Sequence, residues 1–473
     1  VNNFFLMEKL EKLLGDIRFW IVLFFLIRLI GITNPPLEVA HNWRQTAVNT
    51  VARNFHEIDN NIFYPRFDTA GNSSGISGTE FPLFNYLIYL SNLIFGYSHW
   101  YGRLINLIVS SFGIWAFYQV VKDHFSEKTA FYGTIVLLSS LWFAFSRKIM
   151  PDTFSISLCL ISLAFALRFL KNGGFMQLLL YCLFASLGIL SKIPAIVVLT
   201  PLAFSILSEH YPLQRKFWLI SISIIPLAFS AWWYFYWFDH ITDDFVLYRM
   251  GPGIQKGFFQ LIATPNLTLN NFYFDALKFS GFALTLFGVY KIIKRKDIKL
   301  LAVVVLYSFA FLVFMLQAGY GFRIHEYYTL PYVPLMALIA GYGLSLVRKP
   351  FWGYLLLTII VFEGILNQQH DFFIKDNNWY KLGLESLVSE VAEKDELVIV
   401  NGGENPQMMY FAHRRGWSID AETLSKKGEI QTLRYEGASY LIWDKHLSSQ
   451  FHTQLPVLFE NEDFVFYDLR KEM

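Results

Sequence analysis

The chain has 473 residues, of which 54% are hydrophobic, 18% aromatic and only 16% charged, against the ~25% charge of an ordinary soluble domain. With a mean hydropathy of +0.38, this is the sequence of a polytopic membrane protein. A net charge of +2, with no Lys/Arg-rich block outside the short loops, sets nucleic acid aside as a partner.

The first apolar run, 19–32, has no small-residue cleavage site behind it and is expected to stay as a helix rather than be removed as a leader. Apolar segments follow at 103–121, 130–146, 153–170, 175–190, 193–208, 217–238, 278–293, 300–318, 329–347 and 351–366. A span needs ~17–25 residues, so about 11 transmembrane helices are expected, with 84–95 as a re-entrant or interfacial piece. Between 39 and 58, Ala47, Val48, Val51, Phe55 and Ile58 share one helical face and Gln45, Asn49, Arg53 and Glu57 the other, which suits a helix in the membrane interface. An ordinary amphipathic connector would show the same pattern.

Short-loop cations orient the chain. Lys9, Lys12, Arg18, Lys122, Lys128, Arg168, Lys171, Arg215, Lys216, Lys291, Lys294, Arg295, Lys296, Lys299, Arg348 and Lys349 fall on one side, read as cytoplasmic. The outer side then receives 33–102, 147–152, 239–277, 319–328 and everything after about Asn367. From about Lys381 the periodicity changes. Leu384 to Val391 has helical spacing, Glu396 to Val400 reads as a buried strand, Asn405 to Ala412 as a helix, and Tyr440–Trp443 and Phe464–Tyr467 as strands. The expected fold class is an all-α polytopic membrane domain over 1–366, whose first outer loop 33–102 carries the interfacial helix. A small extracytoplasmic α/β domain over 367–473 follows it. Asn401-Gly402-Gly403-Glu404 reads as a strand-to-helix turn, since the rest of a nucleotide fingerprint is missing. Cys159 and Cys182 sit in apolar runs and read as packed thiols.

The polar residues sort to the outer side: Glu38, His41, Trp43, Arg44, Glu80, Arg103, Arg147, Lys148, Asp152, Lys192, Arg323, His325, Glu326, Tyr327 and Tyr328. Ionisable groups beside a membrane are costly to place without a use. The carboxylates Glu38, Glu80, Asp152 and Glu326 can take a proton from an acceptor hydroxyl. The cations Arg44, Lys148, Lys192 and Arg323 can hold a phosphate. Displacing phosphate from an anomeric carbon needs both, a base at one face of the sugar and a charge clamp at the other. Arg323 suits phosphate by its planar fork, with Tyr327 beside it, while His325, Glu326 and Trp43 are placed to contact substrate. Each has a plainer reading: Arg147 and Lys148 as snorkelling anchors, the tyrosines as belt aromatics, Lys192 as a helix cap.

A charged patch opening a long outer loop, Ala52-Arg53-Asn54-Phe55, Glu80-Phe81-Pro82-Leu83 before Gly96 and Arg103, Pro151-Asp152, and His325-Glu326-Tyr327-Tyr328-Thr329-Leu330-Pro331 together resemble the integral-membrane glycosyltransferases of the protein mannosyltransferase and aminoarabinose transferase family. The resemblance covers roughly residues 1–365. It implies a GT-C fold, a polyprenyl-phosphate-linked sugar donor, an extracytoplasmic glycan, lipid or protein acceptor, inversion at the anomeric centre, and an acid of the first outer loop as base. Asp152 corresponds to the family's acid after the third span. One departure stands out: residues 39–56 hold no Asp or Glu, so the base falls to Glu38, His41 or Glu80, or the chain is a degenerate relative without activity.

Membrane lipids are expected partners, and a bacterial inner (plasma) membrane is the expected location, with the site on its outer face. No cofactor or metal is required, since His41, His56, His99 and His325 form no pair with ligand spacing, although a divalent ion is compatible with the chemistry. Two rivals fit parts of the pattern. A flippase for lipid-linked glycans needs a polar path across the bilayer, which the fourth to sixth spans lack. A polymerase using diphosphate-linked donors differs in its donor.

Overall fold

The computed structural model describes residues 8–9, 11–242, 251–449, 451 and 453–471, so 243–250 of the expected outer loop 239–277 lie outside the described residues. The chain divides into two compact units. One comprises Val1–Ile32, Arg103–Tyr234 and Arg249–Phe372; the other comprises Thr33–Gly102, Phe235–Tyr248 and Phe373–Met473.

The first unit is helical, and helix lies under every apolar segment of the sequence that belongs to it. Among the described residues, five helices are long and apolar enough to cross a membrane: Tyr101–His124, Pro151–Asn172, Leu213–His240, Ile298–Ala318 and Pro350–Phe372. This is an integral multi-pass membrane protein. A sixth span results if Pro265–Ala276 and Lys278–Arg295, which meet at 95°, are taken as one. The expected eleven exceeds this because several apolar segments make shorter helices, such as Ile17–Arg28 with 12 residues, Glu127–Ser139 with 13 and Val333–Ser345 with 13. At ~1.5 Å per residue these are too short to cross alone. The last is preceded by a tight 3-10 turn, Glu326–Tyr332, that contains Pro331.

Pro151–Asn172 is the inner helix: 83% of its apolar window is buried, against 17% for Ile298–Ala318, whose outward side chains are free to meet lipid. Pro151 opens it with a preset backbone angle and no amide hydrogen to waste, Asp152 sits in its first turn, and Gly173 at φ +75° ends it. Elsewhere helices touch through small residues, as membrane helices do. A Cβ added to Gly341 would lie 2.4 Å from the backbone nitrogen of Gly133, so Glu127–Ser139 and Val333–Ser345 pack backbone to backbone.

The second unit holds a five-stranded sheet built from β1 (Leu397–Val400), β2 (Gly416–Ser418), β3 (Ala438–Asp444), β4 (Val457–Glu460) and β5 (Phe464–Asp468), in the order β2-β1-β3-β5-β4. β1 runs parallel to β2 and β3, while β5 is antiparallel to β3 and β4. The three strands expected from sequence are present, and the helix expected over Asn405–Ala412 forms over Gln407–Ala412. The short β2 and the exposed β4 gave no such signal. The turn after β1 ties strands together: Asn401 Nδ2 donates to the Asp444 carbonyl at 3.0 Å, and the Asp444 amide donates to Asn401 Oδ1 at 2.7 Å.

Asn42–Glu57 is a helix of 16 residues, but its polar face does not lie against water. Gln45, Asn49 and Arg53 are buried at 0%, 3% and 3% exposure. Arg53 pairs with Asp68 at 2.6 Å and donates to the Tyr410 carbonyl at 3.0 Å. Asn54 donates to the second Asp68 oxygen at 2.8 Å. The stripe expected to face the membrane interface is instead buried at Gln45, Asn49 and Arg53, and the Arg53 charge is met by Asp68, as buried charge must be.

Candidate functional site

In the first unit, the helices Pro151–Asn172 and Phe175–Ser191 pack as neighbours joined by a short turn. The chain that leaves Asp152 therefore returns beside it at Lys192. Lys192 Nζ lies 2.8 Å from Asp152 Oδ1, with side chains 15% and 4% exposed. The ammonium also stands 5.1 Å from the ring centre of Tyr327 and 6.0 Å from that of Tyr328. His325 stacks on Tyr327 at 5.0 Å. Asp152, Ser155, Ile156, Lys192, Phe314, Tyr327, Tyr328 and Pro331 line a small recess of about 10 Å³. A cation held by a carboxylate and backed by two aromatic faces is fixed in place before any ligand arrives.

Behind this turn, Asn106 donates to the carbonyls of Phe145 at 3.0 Å and Lys148 at 2.9 Å, and Thr153 donates to the Phe145 carbonyl at 3.0 Å. These bonds hold the irregular segment 146–150 and with it the start of the Asp152 helix. Lys148 is 1% exposed and pairs with Asp371 at 3.1 Å. The Arg147 guanidinium lies 4.0 Å from the ring centre of Phe372. Neither side chain snorkels to a surface.

Arg323 has a different setting. Its Nη1 donates to the Thr264 hydroxyl at 2.8 Å and its guanidinium lies 4.2 Å from the ring centre of Tyr320. It is not among the residues lining the recess. Glu326 is half-buried and opens the 3-10 turn that carries Tyr327 and Tyr328.

The second unit holds the remaining members of the set. Arg44 forms a salt bridge with Glu80, and the Thr79 hydroxyl donates to the other Glu80 oxygen at 3.0 Å. Glu38 is fully buried and takes a hydrogen bond from Asn34 at 3.2 Å, while its backbone pairs with Ile374. Ala40 and His41 follow in the left-handed region at φ +61° and +55°. That conformation costs about 1–3 kcal/mol for each non-glycine residue and turns the chain sharply into the Asn42–Glu57 helix. Trp43 is half-buried in the first turn, where its carbonyl accepts from the Thr46 hydroxyl at 2.8 Å.

Within each unit the structure therefore brings together Asp152, Lys192, Tyr327 and His325, and separately Arg44 and Glu80. Sequence reasoning missed Ser155 and Phe314 as recess walls, and Asp68 and Asp371 as the partners of buried cations. A lone carboxylate far along the chain carries no local mark of its partner.

A family model described as dolichyl-phosphate-mannose-protein mannosyltransferase matches residues 79–235, a stretch that contains Glu80, Asp152 and Lys192. No curated protein sequence matches the chain. Among solved structures, ArnT from Cupriavidus metallidurans bound to undecaprenyl phosphate superposes with a TM-score of 0.60 at 11% identity, over 95% of this chain and 98% of that one. The archaeal oligosaccharyltransferase AglB from Archaeoglobus fulgidus, in complex with an inhibitory peptide and a dolichol-phosphate, gives 0.54 at 13% identity over 90% of this chain and 69% of that one. At such identities the likeness is one of fold, and the fold is the GT-C fold of membrane glycosyltransferases. The resemblance drawn from the sequence motifs is thereby borne out.

Proposed function

We propose that the protein is an inverting glycosyltransferase that moves a sugar from a polyprenyl-phosphate donor to an acceptor on the extracytoplasmic face of the membrane. The observation that carries this reading is the Lys192 ammonium, held 2.8 Å from Asp152 and backed by Tyr327 and Tyr328 beside a recess. As the bond to the sugar breaks, negative charge collects on the leaving phosphate, and a preorganised cation shielded from water stabilises that charge most. The family match over 79–235 supports the reaction class. The undecaprenyl phosphate and dolichol-phosphate bound in the two solved structures support the lipid carrier.

The geometry also divides the labour. In glycoside chemistry with inversion, the two acting groups stand ~6.5–9.5 Å apart on opposite faces of the sugar. A carboxylate 2.8 Å from the phosphate clamp is on the clamp's own side. Asp152 is thus a positioning residue for Lys192, and the acceptor's proton goes to another carboxylate of the set. Of the two carboxylates of the set in the second unit, Glu80 keeps 16% side-chain exposure while Glu38 has none.

The test is release of polyprenyl phosphate from a polyprenyl-phosphate sugar by purified protein offered glycan, lipid and protein acceptors. Acceptor-dependent release is expected, unaffected by EDTA. Activity only with a diphosphate carrier would make the protein a polymerase. Donor translocation in proteoliposomes without sugar transfer would make it a flippase.

A further inference from the structure

The first unit contains a second cavity, of about 270 Å³, that shares no lining residue with the Asp152–Lys192 recess. Its walls are apolar, with Leu160, Leu163 and Leu167 from one face of the Pro151–Asn172 helix and Val198, Val303 and Leu338 opposite them. Its mouth is polar, with His124, His210, Lys299, Asp123 and Ser208. His124, His210 and Lys299 are exposed. The cavity lies toward the other end of the inner helix: Leu167 is about 22 Å along the axis from Asp152, at ~1.5 Å per residue. The mouth is on the side where Lys122, Lys128, Arg215, Lys294, Arg295 and Lys296 gather at helix ends.

We propose that this cavity binds one acyl chain of an anionic phospholipid, whose phosphate rests at the mouth against Lys299 with His124 and His210 beside it. An apolar tunnel with a few polar groups at one end is the form of a site for an amphiphile. Lys299 at the mouth and the lysines and arginines gathered at the helix ends on that side select an anionic head, as lysines next to a bilayer do; Asp123 is the one acid among the lining residues. A sugar donor does not meet these conditions. With its phosphate at Lys192 it presents only hydrocarbon at this depth and offers no anion to Lys299.

Occupancy bears on the recess. The cavity and the recess are lined by successive turns of the same helix, Ile156 and then Leu160. Tyr307, a cavity wall, donates a hydrogen bond at 2.6 Å to the carbonyl of Pro331, a recess wall. A lipid chain behind this wall keeps it from collapsing.

The experiment uses the full chain in nanodiscs containing phosphatidylglycerol with a photoactivatable group in its acyl chain, with the matching phosphatidylcholine probe in parallel. After irradiation, labelled peptides are mapped by mass spectrometry. Label is expected on the segments bearing Leu163, Val303 and Leu338, with the anionic probe favoured about fivefold, the weight of one lysine near an anionic head. Lys299→Glu, at an exposed position that leaves the fold intact, removes that preference. Leu163→Trp fills the cavity and abolishes the label. Equal labelling by the two probes, label confined to other segments, or displacement of the label by polyprenyl phosphate would each overturn the proposal. Because the readout is labelling and not turnover, it stands or falls apart from the glycosyltransferase reading.

Discussion

Lys192 Nζ and Asp152 Oδ1 meet at 2.8 Å across the open end of a helical hairpin, and each holds the other where a single residue would have several rotamers. If Lys192 clamps the leaving phosphate, Lys192→Ala should lower kcat by about 10²–10³-fold, the usual loss for one preorganised donor, with a smaller change in donor KM. Asp152→Asn should fall in the same range while the protein remains folded. The double variant should be little worse than either single one, because the pair acts as a unit. Single-turnover rates at saturating donor decide this, and full activity in Asp152→Asn would remove the pair from the site.

Glu80 is held by Arg44 and Thr79; Glu80→Gln keeps the acceptor facing Arg44 through Oε1, and its Nε2 can donate to the Thr79 hydroxyl, so the variant should fold. If Glu80 takes the acceptor's proton, this variant should lose about 10²–10⁴-fold in turnover, the share of a general base. Arg44→Ala instead leaves a carboxylate with 16% exposure without its salt-bridge partner, and should cost up to ~3–5 kcal/mol of stability. Thermal unfolding in detergent separates the two effects.

Arg323 matches phosphate by chemistry, yet its guanidinium is engaged with Thr264 and the face of Tyr320. Arg323→Ala is therefore expected to change kcat by less than about tenfold. It should lower stability by ~1–2 kcal/mol, the sum of a hydrogen bond and a cation–π contact. A loss of turnover as large as that of Lys192→Ala would return Arg323 to the clamp.

His413 lies between Glu385, at 2.5 Å, and Glu57, at 3.0 Å, and fastens the end of the Asn42–Glu57 helix. Burial pushes the imidazole down, but the hydrogen bonds it donates to the two carboxylates outweigh it and raise its pKa above 6.5. Burial likewise pushes Glu57 up, and the bonds from His413 and Lys394 reverse this to about 2. The histidine's contribution is complete below its unfolded value and is lost as pH rises through the raised one. The Glu57 contribution is present above the unfolded value of ~4.3 and fades as pH falls toward 2. Stability from this clasp should peak between these limits. His413→Gln should flatten the alkaline side of a pH–stability curve measured by chemical denaturation, and a curve identical to wild type would show that the clasp contributes nothing.

The sequence by itself determined what short-range pattern can encode. Apolar runs fixed the membrane class and placed a helix under each segment, and short continuous apolar runs marked β1, β3 and β5. The order of polar motifs carried the resemblance to a GT-C glycosyltransferase. Only the tertiary structure decided the partners. Arg53 reaches Tyr410 across 357 residues and Arg44 reaches Glu80 across 36, and nothing local in either segment names the other. For the same reason the stripe of Gln45, Asn49 and Arg53 reads as interfacial in sequence and is buried in the fold: helical periodicity reports which residues share a face, but not whether the membrane interface or another protein segment meets it. Arg323 and Lys192 are equally plausible clamps as residue types. The hairpin that returns the chain to Asp152 is what sets Lys192 apart, because a charge gains its full electrostatic effect only where its neighbours fix it and exclude water.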